Sequence, residues 1–120
     1  HLPYSGNNHD FTEFENAVED EEHLILHRRP PHYKLAVGLD ANTTFDVGDE
    51  ADGLVYVGAS VTGHASDRSQ RLVRFLHEFQ CFAANTTKAV PLHDRYTCHY
   101  DCKAEPQQID YVFLSLSLLK

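Results

Sequence analysis

Apolar residues recur with helical spacing near the start of the chain. The stripe consists of Phe11, Phe14, Val18, Leu24 and Ile25. This spacing predicts an amphipathic helix over residues 11–27. The pair Asp10 and Glu13 forms a capping-box pattern at its start, and Pro30 ends it because proline cannot continue the hydrogen-bond ladder.

A second helical stripe follows in the middle of the chain, at Leu72, Phe75, Leu76 and Phe79. These positions fall at i, i+3, i+4 and i+7, which is typical of a helix that buries one face. Asp67 and Gln70 form a capping-box pattern before it, so we expect the helix to begin there.

Short apolar runs between turn-forming residues predict strands at residues 34–39, 81–84, 96–100 and 109–115. Residues 1–3 resemble the end of a further strand. Residues 43–65 are predicted to form a long surface loop that contains one short apolar piece, Leu54–Val57. Residues 101–107 are predicted to connect two strands as a hairpin. Helices alternate with strands first and antiparallel strands follow, so we expect a layered α/β domain with mixed, largely antiparallel sheets.

The chain has 120 residues and a net charge of −8 with histidine neutral, and its acidic runs, such as residues 10–22, are predicted to be solvated surface. A net negative charge argues against unaided binding to a nucleic-acid backbone, but it is compatible with an enzyme that recruits a divalent cation. No apolar run is long enough to cross a bilayer. The first residue is His1, and the apolar end of the chain stops at Lys120, so we expect a fragment of a larger domain.

The three cysteines predict reduced thiols rather than a disulfide framework. Cys81 lies in an apolar run and is interpreted as a core residue. Cys98 and Cys102 flank His99, but a zinc site needs two further ligands besides these cysteines, and no paired second half appears at zinc spacing.

Polar residues stand at the ends of two predicted strands. Asp40 and Asn42 follow the strand at residues 34–39 and point the same way from an extended segment, so both can reach one ligand. The alternative is a polar turn that closes the strand. Asp110 lies in an otherwise apolar strand and needs a hydrogen bond or a charged partner, unless it simply touches water at the strand start.

Four segments occur in the order in which one family carries them: H-L-P at 1–3, V-G-L-D-A-N at 37–42, R-L-V-R-F-L-H-E-F-Q-C-F-A-A-N-T at 71–86 and Q-I-D-Y-V-F-L-S at 108–115. Together they resemble the endonuclease/exonuclease/phosphatase superfamily, which includes the DNase I-like nucleases. The central segment is most similar to the endonuclease domains that accompany reverse transcriptases in non-LTR retroelements. The resemblance implies a four-layer α/β sandwich and cleavage of phosphodiesters with Mg²⁺ or Mn²⁺.

The resemblance also implies a role for each matching residue. Asp40 matches the acid that orients or deprotonates the attacking water and is also a candidate metal ligand. Asn42 matches the amide that hydrogen-bonds the scissile phosphate, and Asp110 matches the acid that holds a catalytic histidine. His1 matches a His or Tyr that contacts the phosphate, and Asn85 matches a supporting residue near the site.

The chain departs from the family in two places. It has no segment matching the family's metal-holding Glu and no S-D-H motif for the catalytic histidine, so residues 1–120 resemble the central to C-terminal part of one domain, truncated at both ends. We therefore expect little activity from the chain alone. The implied partners are a DNA substrate and a reverse-transcriptase domain in the same polypeptide, which would be nuclear. Alternatives are a phosphatase or phospholipid phosphodiesterase of the same fold, or a non-catalytic remnant that serves as a binding or scaffold module.

Overall fold

The computed structural model describes residues 11–30, 32–41, 43–45, 48–51, 53–58, 66–87 and 110–118. Its helices are α1 (Phe11–Arg28) and α2 (Asp67–Phe79), with 3₁₀ turns at Ala84–Thr86 and Leu116–Leu118. Its strands are β1 (Ala36–Asp40), β2 (Asp49–Ala51), β3 (Leu54–Val57), β4 (Cys81–Ala83) and β5 (Asp110–Ser115). Among the described elements, three strands follow α1 and two follow α2, and together they form small antiparallel sheets, so the α/β class is confirmed.

Both predicted helices are present, but the start of α2 differs from the prediction. Ser66, rather than Asp67, is the N-cap: its side chain accepts a 3.0 Å hydrogen bond from the backbone N–H of Ser69, whose hydroxyl accepts one of 3.2 Å from the N–H of Ser66. This is a capping box with serine at both positions. Gln80 ends the helix in the left-handed region with φ 53°.

The main sheet has the strand order β1-β5-β4, and both pairings are antiparallel. The predicted strands at residues 34–39, 81–84 and 109–115 are therefore confirmed with shifted ends. The predicted loop over residues 43–65 is wrong in part, because β2 and β3 form a two-stranded antiparallel sheet within it. The strand end predicted at residues 1–3, the strand at 96–100, the hairpin connection at 101–107 and the residues Asp10, Cys98 and Cys102 lie outside the described residues.

One face of the main sheet packs against the helices. Tyr111, Phe113 and Ser115 alternate along β5 and are buried, whereas Val112 between them is 43% exposed. The ring centroids of Phe75 and Phe113 lie 5.9 Å apart. The buried core shared by these elements comprises Phe14, Val18, Ala41, Phe45, Tyr56, Val57, Leu72, Phe75, Leu76, Phe79, Cys81, Ala83, Tyr111 and Phe113. Burial of Cys81 confirms its interpretation as a core residue.

Ionic contacts join the elements around this core. Arg71 of α2 is buried and donates hydrogen bonds to Glu15, at 2.6 Å, and to Glu22 of α1. The prediction that the acidic run of α1 is solvated is therefore wrong for Glu22, which is 9% exposed. Asp49 of β2 binds His77 at the end of α2.

Gly58, the residue after strand β3, lies against the 3₁₀ turn that follows β4. The N–H of Gly58 donates a 2.8 Å hydrogen bond to the hydroxyl of Thr86. A Cβ atom at Gly58 would lie 1.9 Å from the Thr86 carbonyl oxygen, so this approach requires glycine. Within the described residues, no helix has the length and apolar character needed to span a membrane.

Candidate functional site

Asp40 and Asp110 stand directly opposite each other at one end of the main sheet, as Cα partners in the β1–β5 pairing. The Ser115 N–H donates a 3.0 Å hydrogen bond to the Leu35 carbonyl, so residues 35 and 115 form a hydrogen-bonded pair. Such pairs alternate along an antiparallel ladder, which makes Asp40 and Asp110 a non-hydrogen-bonded pair. In pairs of this kind the Cα atoms lie about 4.5 Å apart and the side chains are closest. The two half-buried carboxylates therefore share one face of the sheet.

Both the nitrogen and the oxygen of the Asn85 side-chain amide form hydrogen bonds to strand β5 next to Asp110. Its Nδ2 donates to the Asp110 carbonyl at 2.9 Å, and its Oδ1 accepts from the Val112 N–H at 3.1 Å. Strand β4 ends at Ala83, and these two backbone groups of β5 lie beyond its last paired residue. The amide thus continues the ladder with a side chain, which holds the backbone of Asp110 in position.

The loop after β1 is tied to α2 and β5 by Thr43. The Thr43 hydroxyl lies 3.3 Å from the Ser66 hydroxyl at the start of α2, and the Thr43 carbonyl accepts a 3.3 Å hydrogen bond from the phenol of Tyr111. Burial raises the pKa of Tyr111 above its ordinary value. A hydrogen bond to the Phe45 backbone partly opposes this shift and the charge of Asp110 adds to it, so the phenol stays protonated and remains a donor. Sequence reasoning missed Thr43, Ser66 and Tyr111, although Tyr111 stands next to Asp110 in Q-I-D-Y.

The described residues bring together three of the five predicted site residues, namely Asp40, Asn85 and Asp110. His1 and Asn42 lie outside the described residues. In the sequence Asn42 falls between Ala41, which is fully buried, and Thr43, which contacts Ser66 and Tyr111. The backbone on both sides of Asn42 is therefore held at the same end of the sheet.

Two carboxylates placed directly opposite each other repel, so a cation or hydrogen-bond donors between them would stabilise the pair. Within the described part of the chain, no three His, Cys, Asp or Glu side chains form a group that could hold a metal ion. Mg²⁺ is commonly bound through one or two carboxylates together with water and substrate phosphate. The carboxylate oxygens of Asp40 are therefore of the kind that Mg²⁺ or Mn²⁺ prefers, and they do not fit a soft metal that prefers thiolate.

Comparisons of the chain with protein-family models, with curated proteins and with solved structures returned no match.

Proposed function

We propose that this chain carries part of the active centre of a divalent-metal-dependent phosphodiesterase that cleaves DNA, of the kind that accompanies reverse transcriptases. The observation that supports this most directly is the close cross-strand pair of Asp40 and Asp110, with Asn85 bound to the backbone of Asp110. The sequence resemblance names the same three residues. Adjacent carboxylates at the end of a sheet are suited to hold a metal ion and to handle a proton.

The chemistry assigns a different task to each residue. Water attacks the phosphodiester in line while the P–O bond to the leaving sugar oxygen breaks. Asp40 orients this water and accepts its proton, and the leaving oxygen takes a proton from solvent. Asn42 donates a hydrogen bond to a phosphoryl oxygen, which stabilises developing charge without adding a negative charge. Asp110 accepts a hydrogen bond from a histidine ring and thereby holds its tautomer. When bound, the divalent cation supplies electrostatic stabilisation of the phosphoryl oxygens.

We further propose that the complete domain is the four-layer sandwich that the resemblance implies. Both helices pack on one face of the main sheet, whereas Ala36, Gly38 and Val112 on the opposite face are exposed. An apolar sheet face of this kind is suited to packing against a second sheet. This arrangement would leave the Asp40–Asp110 end of the sheet at the rim of the sandwich.

Nicking of supercoiled plasmid DNA tests the proposed function. The chain alone should nick poorly with Mg²⁺, because residues of one catalytic unit fail together when some are missing. The assay therefore also uses a chimera in which a complete member of the family supplies the segments with the metal-binding Glu and the S-D-H histidine. This chimera should nick the plasmid with Mg²⁺ and should not do so in EDTA.

In the chimera, Asp40→Asn and Asp110→Asn should each lower the rate by about 10²–10⁴-fold. Glu50→Gln, a change at an exposed carboxylate on β2, is the matched control and should retain the activity. A folded chimera that does not nick would favour the non-catalytic remnant. Equal activity in all three variants would contradict the assignment of Asp40 and Asp110.

A further inference from the structure

Tyr111 follows Asp110 in strand β5, and its side chain points to the opposite face of the main sheet because successive residues of a strand alternate. This face packs against the helices, and Tyr111 is only 2% exposed. In the β1–β5 pairing Tyr111 lies opposite Leu39, which precedes Asp40. Tyr111 therefore lies at the same end of the sheet as the candidate site, but on the buried face.

The phenol of Tyr111 binds the loop that follows β1 at two backbone groups. Its hydroxyl donates a 3.3 Å hydrogen bond to the Thr43 carbonyl. The Phe45 backbone also hydrogen-bonds this oxygen, and the bond opposes the rise in pKa that burial causes at Tyr111, so the Phe45 group is an N–H donor. The Phe45 ring packs edge-on against the Tyr111 ring, with centroids 4.8 Å apart. One side chain thus fixes both Thr43 and Phe45.

The chain between Asp40 and Thr43 is held at both ends. The β1–β5 ladder holds it up to Asp40, and Tyr111 holds it again at Thr43. Ala41, which follows Asp40, is fully buried. The proposed function gives Asp40 the task of accepting a proton and Asn42 that of binding phosphate. A displacement of about 1 Å in such groups can lower a rate by about a hundredfold, so the anchoring of this short stretch bears directly on the chemistry.

We propose that Tyr111 is a positioning residue for DNA cleavage: its phenol fixes the loop after β1 and thereby the placement of Asn42 relative to Asp40. This role rests on the proposed function. Strand β5 then serves the site from both of its faces, because Asp110 acts from one face and Tyr111 acts through the loop from the other. Tyr111 itself is buried and does not touch the reacting atoms.

The kinetics of plasmid nicking by the chimera in Mg²⁺ test this role. Tyr111→Phe keeps the ring and removes the hydroxyl, so it should lower kcat by about ten- to a hundredfold. KM should stay nearly unchanged, because the hydrogen bond from Asn42 strengthens only as charge develops on the phosphoryl oxygens. Tyr33→Phe is the matched control: it removes the same hydroxyl from a tyrosine that is 58% exposed, and it should retain the activity.

A double-mutant cycle shows whether Tyr111 acts through Asn42. If it does, Tyr111→Phe should have little effect in a chimera that already carries Asn42→Ala, since the group that it positions is gone. Effects that multiply would overturn the proposal, because Tyr111 would then act independently of Asn42. A nicking chimera that Tyr111→Phe leaves unimpaired overturns the role of Tyr111 alone, whereas a folded chimera that does not nick overturns the proposed function together with this role.

Amide hydrogen exchange tests the anchoring of the loop in the 120-residue chain, without any assay of activity. In Tyr111→Phe the Phe45 amide loses its acceptor and should exchange faster than in the wild type. The amide of Leu76 in α2 reports on the stability of the whole fold, so the increase at Phe45 should exceed that at Leu76 by about tenfold. Equal changes at Phe45 and Leu76 would overturn the proposal, because the phenol would then not hold the loop.

Discussion

Single side chains replace regular backbone pairing where strands end in this protein. Asn85 continues the ladder of β5 after β4 has ended, and Ser115 does the same at the other end, where its hydroxyl accepts a 2.6 Å hydrogen bond from the N–H of Leu35. Buried backbone groups need such partners because an unsatisfied donor or acceptor carries a desolvation cost. The backbone of Asp110 is therefore held in part by an amide side chain from another segment.

Cys81 provides a prediction for the dependence of stability on pH. Burial raises the pKa of its thiol to about 11 from an ordinary value of 9.0, and nearby Arg29 partly opposes the shift. Because the pKa is higher in the folded state, the protonated thiol contributes to the stability of the fold. This contribution is fully present below about pH 9 and is lost as the pH rises toward 11. The free energy of unfolding should therefore fall across this range by up to about 3 kcal/mol more for the wild type than for Cys81→Ala.

Urea unfolding at several pH values across this range measures the effect. Only the slope with pH is compared, because Cys81→Ala also removes packing at every pH. Cys98 and Cys102 are present in both proteins and cancel in the comparison. Equal slopes would mean that the Cys81 thiol ionises as readily in the folded chain as in the unfolded chain.

At the scale of elements, helices α1 and α2 are joined by both apolar packing and a buried ion cluster. Arg71 has a side chain that is 3% exposed and bonds to Glu15 and Glu22. Burial lowers the pKa of its guanidinium, but the hydrogen bonds and charges of Glu22 and Glu15 outweigh this and raise it overall. Arg71 therefore remains charged, and its charge balances carboxylates that α1 could not otherwise bury.

Replacing Arg71 tests this role of the cluster. Arg71→Met should lower the free energy of unfolding by about 3–5 kcal/mol, because it leaves the buried carboxylate of Glu22 without its partner. Arg74→Met is the matched control: Arg74 also bonds to Glu15, at 3.3 Å, but its side chain is 64% exposed, so we expect a loss of about 0–1 kcal/mol. Urea unfolding monitored by circular dichroism measures both values.

A double variant separates the charge from the packing in this cluster. Arg71→Met combined with Glu22→Leu removes both charges and should recover much of the stability, since an apolar pair often replaces a buried ion pair without loss. A double variant as unstable as Arg71→Met alone would indicate that packing by the Arg71 stem, rather than its charge, carries the effect.

At the scale of the whole molecule, both the net charge and the candidate site oppose binding of the proposed DNA substrate. The chain has a net charge of −8, and two of its carboxylates lie next to each other in the candidate site, where they would repel phosphate. Binding of DNA by this chain would therefore depend on a divalent cation to reverse the local charge.

We expect fluorescence anisotropy with a short labelled DNA duplex to show no saturable binding at roughly 0.15 M salt in EDTA. Addition of Mg²⁺ should raise the anisotropy, and Asp40→Asn combined with Asp110→Asn should remove most of this increase. Glu50→Gln should respond to Mg²⁺ as the wild type does. Tight binding in EDTA would show instead that the chain has a basic surface sufficient for DNA.

The sequence by itself determined the features that depend on local periodicity. The spacing of Phe75 and Phe79 predicted α2, and the apolar run before Asp40 predicted β1, because the periods of helix and strand are properties of neighbouring residues. The resemblance selected Asp40, Asn85 and Asp110 without any geometry. The tertiary structure alone decided that Asp40 lies opposite Asp110, that the Asn85 amide binds the β5 backbone and that Glu22 is buried against Arg71. Strand register, side-chain bonds and burial join residues far apart in the chain, so no local pattern specifies them.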